Sequence, residues 1–145
     1  MEHHLILRVV TKILVGPILL YGLYVQFHGD FGPGGGFQAG VIFAVAFMLY
    51  GIVFSLRELR RLVPDWIVHQ LVAIGLLLYA GTGVVTLFLG GNFLDYNVLS
   101  DVGYKGQHWG IIAVELGVGI TVFAVMLSIY YAFAGRPPQL DDKDW

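Results

Sequence analysis

The sequence predicts an all-α integral membrane protein, a bundle of four transmembrane helices with both termini in the cytoplasm. Of its 145 residues, 57% are hydrophobic and 12% are charged, whereas a soluble domain carries about 25% charged residues. The charges are confined to short segments between four apolar stretches. Each stretch can supply the roughly 17–25 residues that a helix needs to cross a bilayer.

The four spans follow from intervals that almost lack charged residues. They are predicted at about 9–27, 37–56, 67–90 and 109–133, within one transmembrane domain at 1–134. The first stretch is long and no Ala-x-Ala-like cleavage site follows it, so we expect it to be retained rather than removed as a signal peptide. Residues 135–145 contain a Pro-Pro pair and are predicted to form a flexible cytoplasmic tail.

The distribution of Lys and Arg predicts the orientation. Seven of the eight such residues lie at the termini or in the 56–66 loop, and Lys105 alone lies on the other side. Cytoplasmic loops carry the excess of Lys and Arg. The termini and the 56–66 loop are therefore predicted to be cytoplasmic, and the 92–107 loop to face outward.

Small residues recur at helical packing intervals in three spans. They are Gly40, Ala44, Gly51 and Ser55 in the second, Gly75, Gly83 and Thr86 in the third, and Gly117, Thr121, Ala124 and Ser128 in the fourth. Such faces let two helix backbones approach closely. Packing within the bundle accounts for them, and docking of one face on another component of a complex is the alternative.

Composition excludes several classes of function. There is no Cys, so disulfides, thiolate ligands and iron–sulfur clusters are excluded. His3, His4 and His108 lack metal-ligand spacing, and we expect no metal site. Neither a nucleophile–base set nor a cofactor motif is present, so we expect no enzyme activity and no cofactor. The net charge of −2 does not indicate a nucleic-acid partner.

Glu115 is the one carboxylate inside a predicted span. An acidic residue at the centre of a transmembrane helix costs roughly 2.5–3.5 kcal/mol on insertion scales, and such residues usually have a partner or a function. Glu115 follows Trp109 by six residues, or roughly 9 Å of helix. It is either a protonatable or cation-binding group, or a structural carboxylate bonded to a neighbouring helix.

Three further residues are candidates for polar chemistry. His28 is at the outer end of the first span, where a pair with Glu115 would suit proton or Na⁺ entry; otherwise it is an interfacial residue. Lys12 and His69 lie at the predicted cytoplasmic ends of spans one and three. Snorkelling to the interface accounts for Lys12, and an interfacial position is also favoured for His69.

The loop between the first two spans contains the run Pro33-Gly34-Gly35-Gly36-Phe37. Its glycines permit positive φ angles and close approach of other backbones. It opens directly into a helix, whose free N–H groups can attract a carboxylate or an anion. It is not a phosphate-binding Walker loop, because no Gly-Lys-Ser/Thr follows.

With the preceding His28-Gly and the Glu115-Leu-Gly-Val-Gly segment of the last span, this motif resembles the MnhB component of Mrp-type (Mnh) multisubunit Na⁺/H⁺ antiporters. The resemblance extends from about Leu14 to Met126. It implies a small subunit, in the inner (plasma) membrane of a prokaryote, next to large antiporter-like subunits that carry the proton channels and resemble those of respiratory complex I. The family motif at positions 33–37 carries over, and so does Glu115.

The predicted function is therefore that of a small membrane subunit of a cation(Na⁺)/proton antiporter, which supports assembly and lines an ion route through Glu115. Its partners would be the large and small membrane subunits of the complex and the lipid bilayer. One alternative is the equivalent subunit of a membrane-bound hydrogenase-type redox complex. Another is a purely structural membrane scaffold. The counterpart of Glu115 is expected on another subunit or at His28.

Overall fold

A computed structural model of the protein describes residues 2–29, 32–100 and 103–136. The helices are α1 (Glu2–Phe27), α2 (Gly36–Phe54), α3 (Leu56–Leu62), α4 (Asp65–Phe88) and α5 (Gly103–Ala134), and Tyr96–Leu99 forms a 3-10 turn. Within the described residues, four helices, all but α3, are long and apolar enough to span a membrane. The prediction of an all-helical protein with four such helices is confirmed. Most of the expected flexible tail, from 137 onward, lies outside the described residues.

Two of the helices extend beyond the apolar stretches from which they were predicted. α1 begins at Glu2 and has 26 residues, and α5 begins at Gly103 and has 32 residues. At about 1.5 Å per residue these helices are roughly 39 and 48 Å long, longer than the hydrocarbon core of about 30 Å. Their polar first turns, which include Lys105 and His108 in α5, therefore extend beyond that core.

α5 is the central helix of the molecule. It packs against α4 on one side and against α2 on the other, and α1 packs mainly against α2. The helices therefore follow one another in space as α1, α2, α5 and α4. Of the most apolar window of each helix, 28% is buried in α2 and α5 but only 11% in α1. α1 thus presents most of its surface to lipid or to a partner.

The small-residue faces lie at the contacts between these helices. A Cβ atom at Gly40 of α2 would lie 2.6 Å from the carbonyl oxygen of Gly119 in α5. On the other side of α5, a Cβ atom at Gly117 would lie 2.9 Å from the carbonyl oxygen of Gly75 in α4. Real Cβ atoms do not approach other atoms this closely. The predicted packing of these faces inside the bundle is therefore observed at both contacts of α5.

The core of the molecule lies at the end that carries α3. Its buried members come from α3, α4 and α5 and are Leu59, Val68, Ala124, Leu127 and Tyr131. The hydroxyl of Tyr131 donates a hydrogen bond of 2.8 Å to the carbonyl of Val63, and the Arg60 side chain donates to the carbonyl of Tyr131 at 3.4 Å. These bonds fix the segment between α3 and α4 against the end of α5.

Ser55 joins α2 to α3 with a strained backbone. Its φ angle is 116° and its ψ angle is 152°, a region that glycine occupies and that costs other residues about 1–3 kcal/mol. Its hydroxyl accepts a long hydrogen bond of 3.4 Å from the N–H of Glu58. We expect Ser55→Gly to raise the melting temperature of the purified protein in detergent, followed by circular dichroism, because relief of strain exceeds the loss of this bond.

Ser55→Ala is the matched control for this prediction. Alanine also removes the hydroxyl but keeps the strained backbone, so its melting temperature should fall below that of the wild type. A Gly variant that melts no higher than the Ala variant would show that strain at Ser55 does not limit stability.

Candidate functional site

The glycine loop folds back onto the end of α1. The N–H of Gly35 donates a hydrogen bond of 3.1 Å to the carbonyl of Val25, and the N–H of Ala39 then donates at 3.1 Å to the carbonyl of Gly35. Gly35 has a φ angle of 119°, which glycine adopts without strain. A Cβ atom at Gly34 would lie 2.9 Å from the Val25 carbonyl oxygen. The loop therefore needs glycine at both positions to reach this conformation.

The carboxylate of Glu115 lies against this loop. A Cβ atom at Gly35 would lie 2.8 Å from Glu115 Oε1, and one at Gly29 would collide with the same oxygen. A Cβ atom at Gly36 would overlap the backbone carbonyl oxygen of Glu115. The absence of side chains in the loop thus creates the space that Glu115 occupies. The structure brings together two features that the sequence identified separately, the intramembrane carboxylate and the glycine motif.

Gln26 of α1 lies next to the same site and was missed from the sequence. Its side chain is 6% exposed, and its amide oxygen lies 2.8 Å from the position of a Cβ atom at Gly119. Gly119 is one helical turn from Glu115 on the same face of α5. The signal was available, because Gln26 shares a helix face with the small residue Gly22, four positions earlier. Both are buried where α1 packs on α2.

His28 lies beside the loop on the α1 side. Its ring stacks on Tyr24 with centroids 5.0 Å apart and planes 22° apart, and its Nε2 lies 3.4 Å from the position of a Cβ atom at Gly32. It also lines an open, mainly aromatic groove of about 650 Å³ along α1, with Pro17 and Tyr21 among its other walls. The predicted pair of His28 with Glu115 stays a prediction.

The two ends of the family motif face away from the carboxylate. Phe37 is 61% exposed, and Pro33 is also exposed. Gly35 and Gly36 between them are buried. The motif thus combines an inward-facing part that makes room for Glu115 with an outward-facing part that is open to lipid or to another subunit.

Lys12 and His69 lie at the other end of the molecule. The ammonium group of Lys12 lies 5.6 Å from the centroid of the Phe54 ring. His69 lines a cavity of about 230 Å³ with Ser128 and with the Arg60–Asp65 ion pair, whose N–O distance is 3.3 Å. Ser128 is 128 − 115 = 13 residues from Glu115 along α5, or roughly 20 Å. Neither residue belongs to the Glu115 site.

The 3-10 turn covers the beginning of α5. The ring of Tyr96 packs against Gly110, and its carbonyl oxygen lies where a Cβ atom at Gly106 would be. Burial, with a smaller contribution from Tyr79, raises the pKa of the Tyr96 phenol above its usual value of 10.0. Tyr96 is therefore neutral at physiological pH, and it covers this end of α5 without adding a charge.

The arrangement combines three kinds of oxygen ligand at a break between two helices. These are the carboxylate of Glu115, the amide of Gln26 and the backbone carbonyls of an unwound segment. Unwound backbone at membrane depth binds Na⁺ and H⁺ in ion-coupled transporters. A carboxylate in such a place can hold a proton or a monovalent cation, but one bound ion already neutralises its charge.

Comparison with known proteins covers both halves of this site. Residues 6–128 match the model of a family described as a domain related to the MnhB subunit of a Na⁺/H⁺ antiporter. The antiporter subunit mnhB2 of Staphylococcus haemolyticus is 34% identical over 142 residues, covering 92% of this chain and 96% of the relative. The mnhB2 proteins of Staphylococcus epidermidis and Staphylococcus aureus strain Newman are 35% identical over 138 residues with the same coverage. The matched region includes the glycine motif and Glu115.

Proposed function

The chain belongs to the MnhB family of Na⁺/H⁺ antiporter subunits, and from this premise we propose that Glu115 is an ion-accepting carboxylate of the complex, positioned by the glycine loop. The chain is a multi-pass subunit of the bacterial plasma membrane, and its partners are the other Mnh subunits. The relatives favour this context over a hydrogenase-type complex or a scaffold without a role in transport.

The contact of the Glu115 carboxylate with the loop at Gly29 and Gly35 is the observation that supports this role. A carboxylate that only joined two helices would be expected to pack against polar side chains. Here it lies against backbone without side chains, where a small ion can approach it. Proton and Na⁺ compete for the same negative charge, and that competition is the elementary step of antiport.

Gln26 supplies the second ligand in this proposal. Its amide oxygen, beside Gly119, would face an ion held by the Glu115 carboxylate one turn away. An amide oxygen is neutral at every physiological pH, so it favours a cation over water without competing for the proton. The site exchanges ions and performs no covalent reaction.

We also propose that this end of the molecule faces outward. Seven of the eight Lys and Arg residues lie toward the termini and α3, which the positive-inside rule places in the cytoplasm. Glu115 then lies near the outer surface, about one or two helical turns inside. An ion from outside would reach it past the exposed Pro33 and Phe37 or from a neighbouring subunit.

Glu115→Asp tests this proposal. Aspartate keeps the charge but is one methylene shorter, so its carboxylate withdraws from Gly35 and leaves the ion less well coordinated. In everted membrane vesicles we expect the Na⁺ concentration for half-maximal exchange to rise about tenfold, which corresponds to about 1.4 kcal/mol of binding free energy. The amount of assembled complex should not change.

Glu58→Asp is the matched control, because Glu58 lies in α3 and its carboxylate pairs with Arg61 at 2.8 Å. It should leave the Na⁺ dependence unaltered. An unchanged Na⁺ dependence in Glu115→Asp, with normal assembly, would contradict the proposed coordination of Na⁺ by Glu115.

A further inference from the structure

A second site lies at the opposite end of α2 from the glycine loop. An open pocket of about 650 Å³ is enclosed by the first turns of α1, the end of α2 and α3. Arg8, Lys12 and Arg57 line it together with Tyr50 and Phe54. None of these residues contributes to the Glu115 site, so the pocket needs a separate explanation.

The pocket is positively charged. Arg8 and Lys12 are four residues apart and therefore lie on one face of α1. The Arg8 guanidinium carbon and the Lys12 ammonium lie 5.8 and 5.6 Å from the centroid of the same Phe54 ring. Attraction to the ring face holds cations at this distance. Two positive charges are thus held at one point of the pocket wall.

The acidic residue of the pocket does not cancel this charge. Glu58 also lines the pocket, but its carboxylate accepts a hydrogen bond of 2.8 Å from Arg61 Nη1. Arg57 has an exposed side chain and adds a third positive charge. A neighbouring cavity of about 520 Å³ is lined by Arg57, Arg60 and Arg61 and continues the basic surface around α3.

The pocket is also continuous with apolar surface. Leu5, Val9 and Ile13 of α1 are 66%, 49% and 64% exposed, and they flank Arg8 and Lys12 along the helix. The site therefore offers cations at the level where the apolar stretch of α1 begins, with apolar side chains beside them. A phospholipid has the matching order of groups, because its phosphate lies at the membrane surface and its acyl chains extend inward.

We propose that this pocket binds the phosphodiester headgroup of an anionic phospholipid. Basic pockets between transmembrane helices on the cytoplasmic side bind such headgroups. Arg8 and Lys12 contact the phosphate from α1, Arg57 contacts it from α3, and the acyl chains lie along α1. A lipid is favoured over free phosphate because the pocket opens onto apolar surface as well as onto water.

The experiment measures lipid binding to the purified full chain in neutral detergent by native mass spectrometry. Phosphatidylglycerol is compared with phosphatidylcholine, whose headgroup carries no net charge. We expect phosphatidylglycerol to bind more tightly, and Arg8→Gln/Lys12→Gln to lower its affinity about 25-fold, or about fivefold for each charge removed. Arg8→Lys/Lys12→Arg keeps both charges and should retain most of the affinity. Both side chains are exposed, so these changes should leave the fold intact.

Lys105→Gln/Arg136→Gln is the matched control, because it removes the same charge away from the pocket and should leave binding unchanged. Equal binding of the two lipids, or equal losses in the two double variants, would overturn the proposal. Displacement of phosphatidylglycerol by millimolar inorganic phosphate would assign the pocket to free phosphate instead. In the purified complex, crosslinking of Lys12 to an acidic segment of another subunit, without retained lipid, would assign it to a protein partner.

Discussion

Replacing Glu115 with Gln is expected to leave the antiporter complex assembled and to slow Na⁺-driven proton exchange about tenfold or more. Glutamine has the size of glutamate, so it fits the space left by Gly29 and Gly35. Its amide neither accepts a proton near neutral pH nor carries the charge that attracts Na⁺. The measurement is the dissipation of ΔpH on addition of Na⁺ to everted vesicles, with complex quantified in the same membranes.

Glu58→Gln provides the matched control for this variant. It makes the same chemical change at a half-buried carboxylate in α3 that pairs with Arg61, and exchange should stay at the wild-type rate. Normal exchange in Glu115→Gln with normal assembly would refute the ion-accepting role. Loss of the complex in this variant would instead identify Glu115 as a structural carboxylate that joins α5 to the loop.

Most of the fold could be predicted from the sequence because the bilayer imposes a simple rule. An apolar stretch of sufficient length that lacks charged residues must form a helix in lipid, since its backbone has no other source of hydrogen bonds. α3 escaped this rule. Its seven residues include Arg57, Arg60 and Arg61 and read as a polar loop. Its helix is secured by Leu59, which is fully buried against the end of α2 near Gly51.

The two halves of the site were identified from the sequence, but their contact was not. Gly35 and Glu115 are 115 − 35 = 80 residues apart. Their contact depends on which helices are neighbours, and α2 and α5 are apolar on all sides, so hydrophobic patterning does not reveal it. The small residues give more information. Gly36 and Gly40 of α2 meet Glu115 and Gly119 of α5, and both pairs are four residues apart.

Gly36→Ala is expected to have the largest effect on stability. The added methyl group would overlap the backbone carbonyl oxygen of Glu115, and it would lie 2.7 Å from the carbonyl carbon. Both belong to the backbone of α5, so relief requires α2 and α5 to separate. Overpacking costs typically 1–3 kcal/mol when side chains can adjust; a clash of two backbones should cost about 3 kcal/mol or more. We expect a lower melting temperature in detergent and little assembled complex.

Gly16→Ala and Gly81→Ala control for the chemical change itself, because a Cβ atom at either position in α1 or α4 meets no atom of the chain within 4 Å. Both variants should melt at or above the wild-type temperature, since alanine favours helix over glycine by about 1 kcal/mol. A Gly36→Ala protein that melts with these controls would show that α2 and α5 are not in backbone contact. The contrast with Glu115→Gln then separates the two roles of this site. Gly36→Ala removes exchange by separating α2 from α5, whereas Glu115→Gln should remove it while the melting temperature stays that of the wild type.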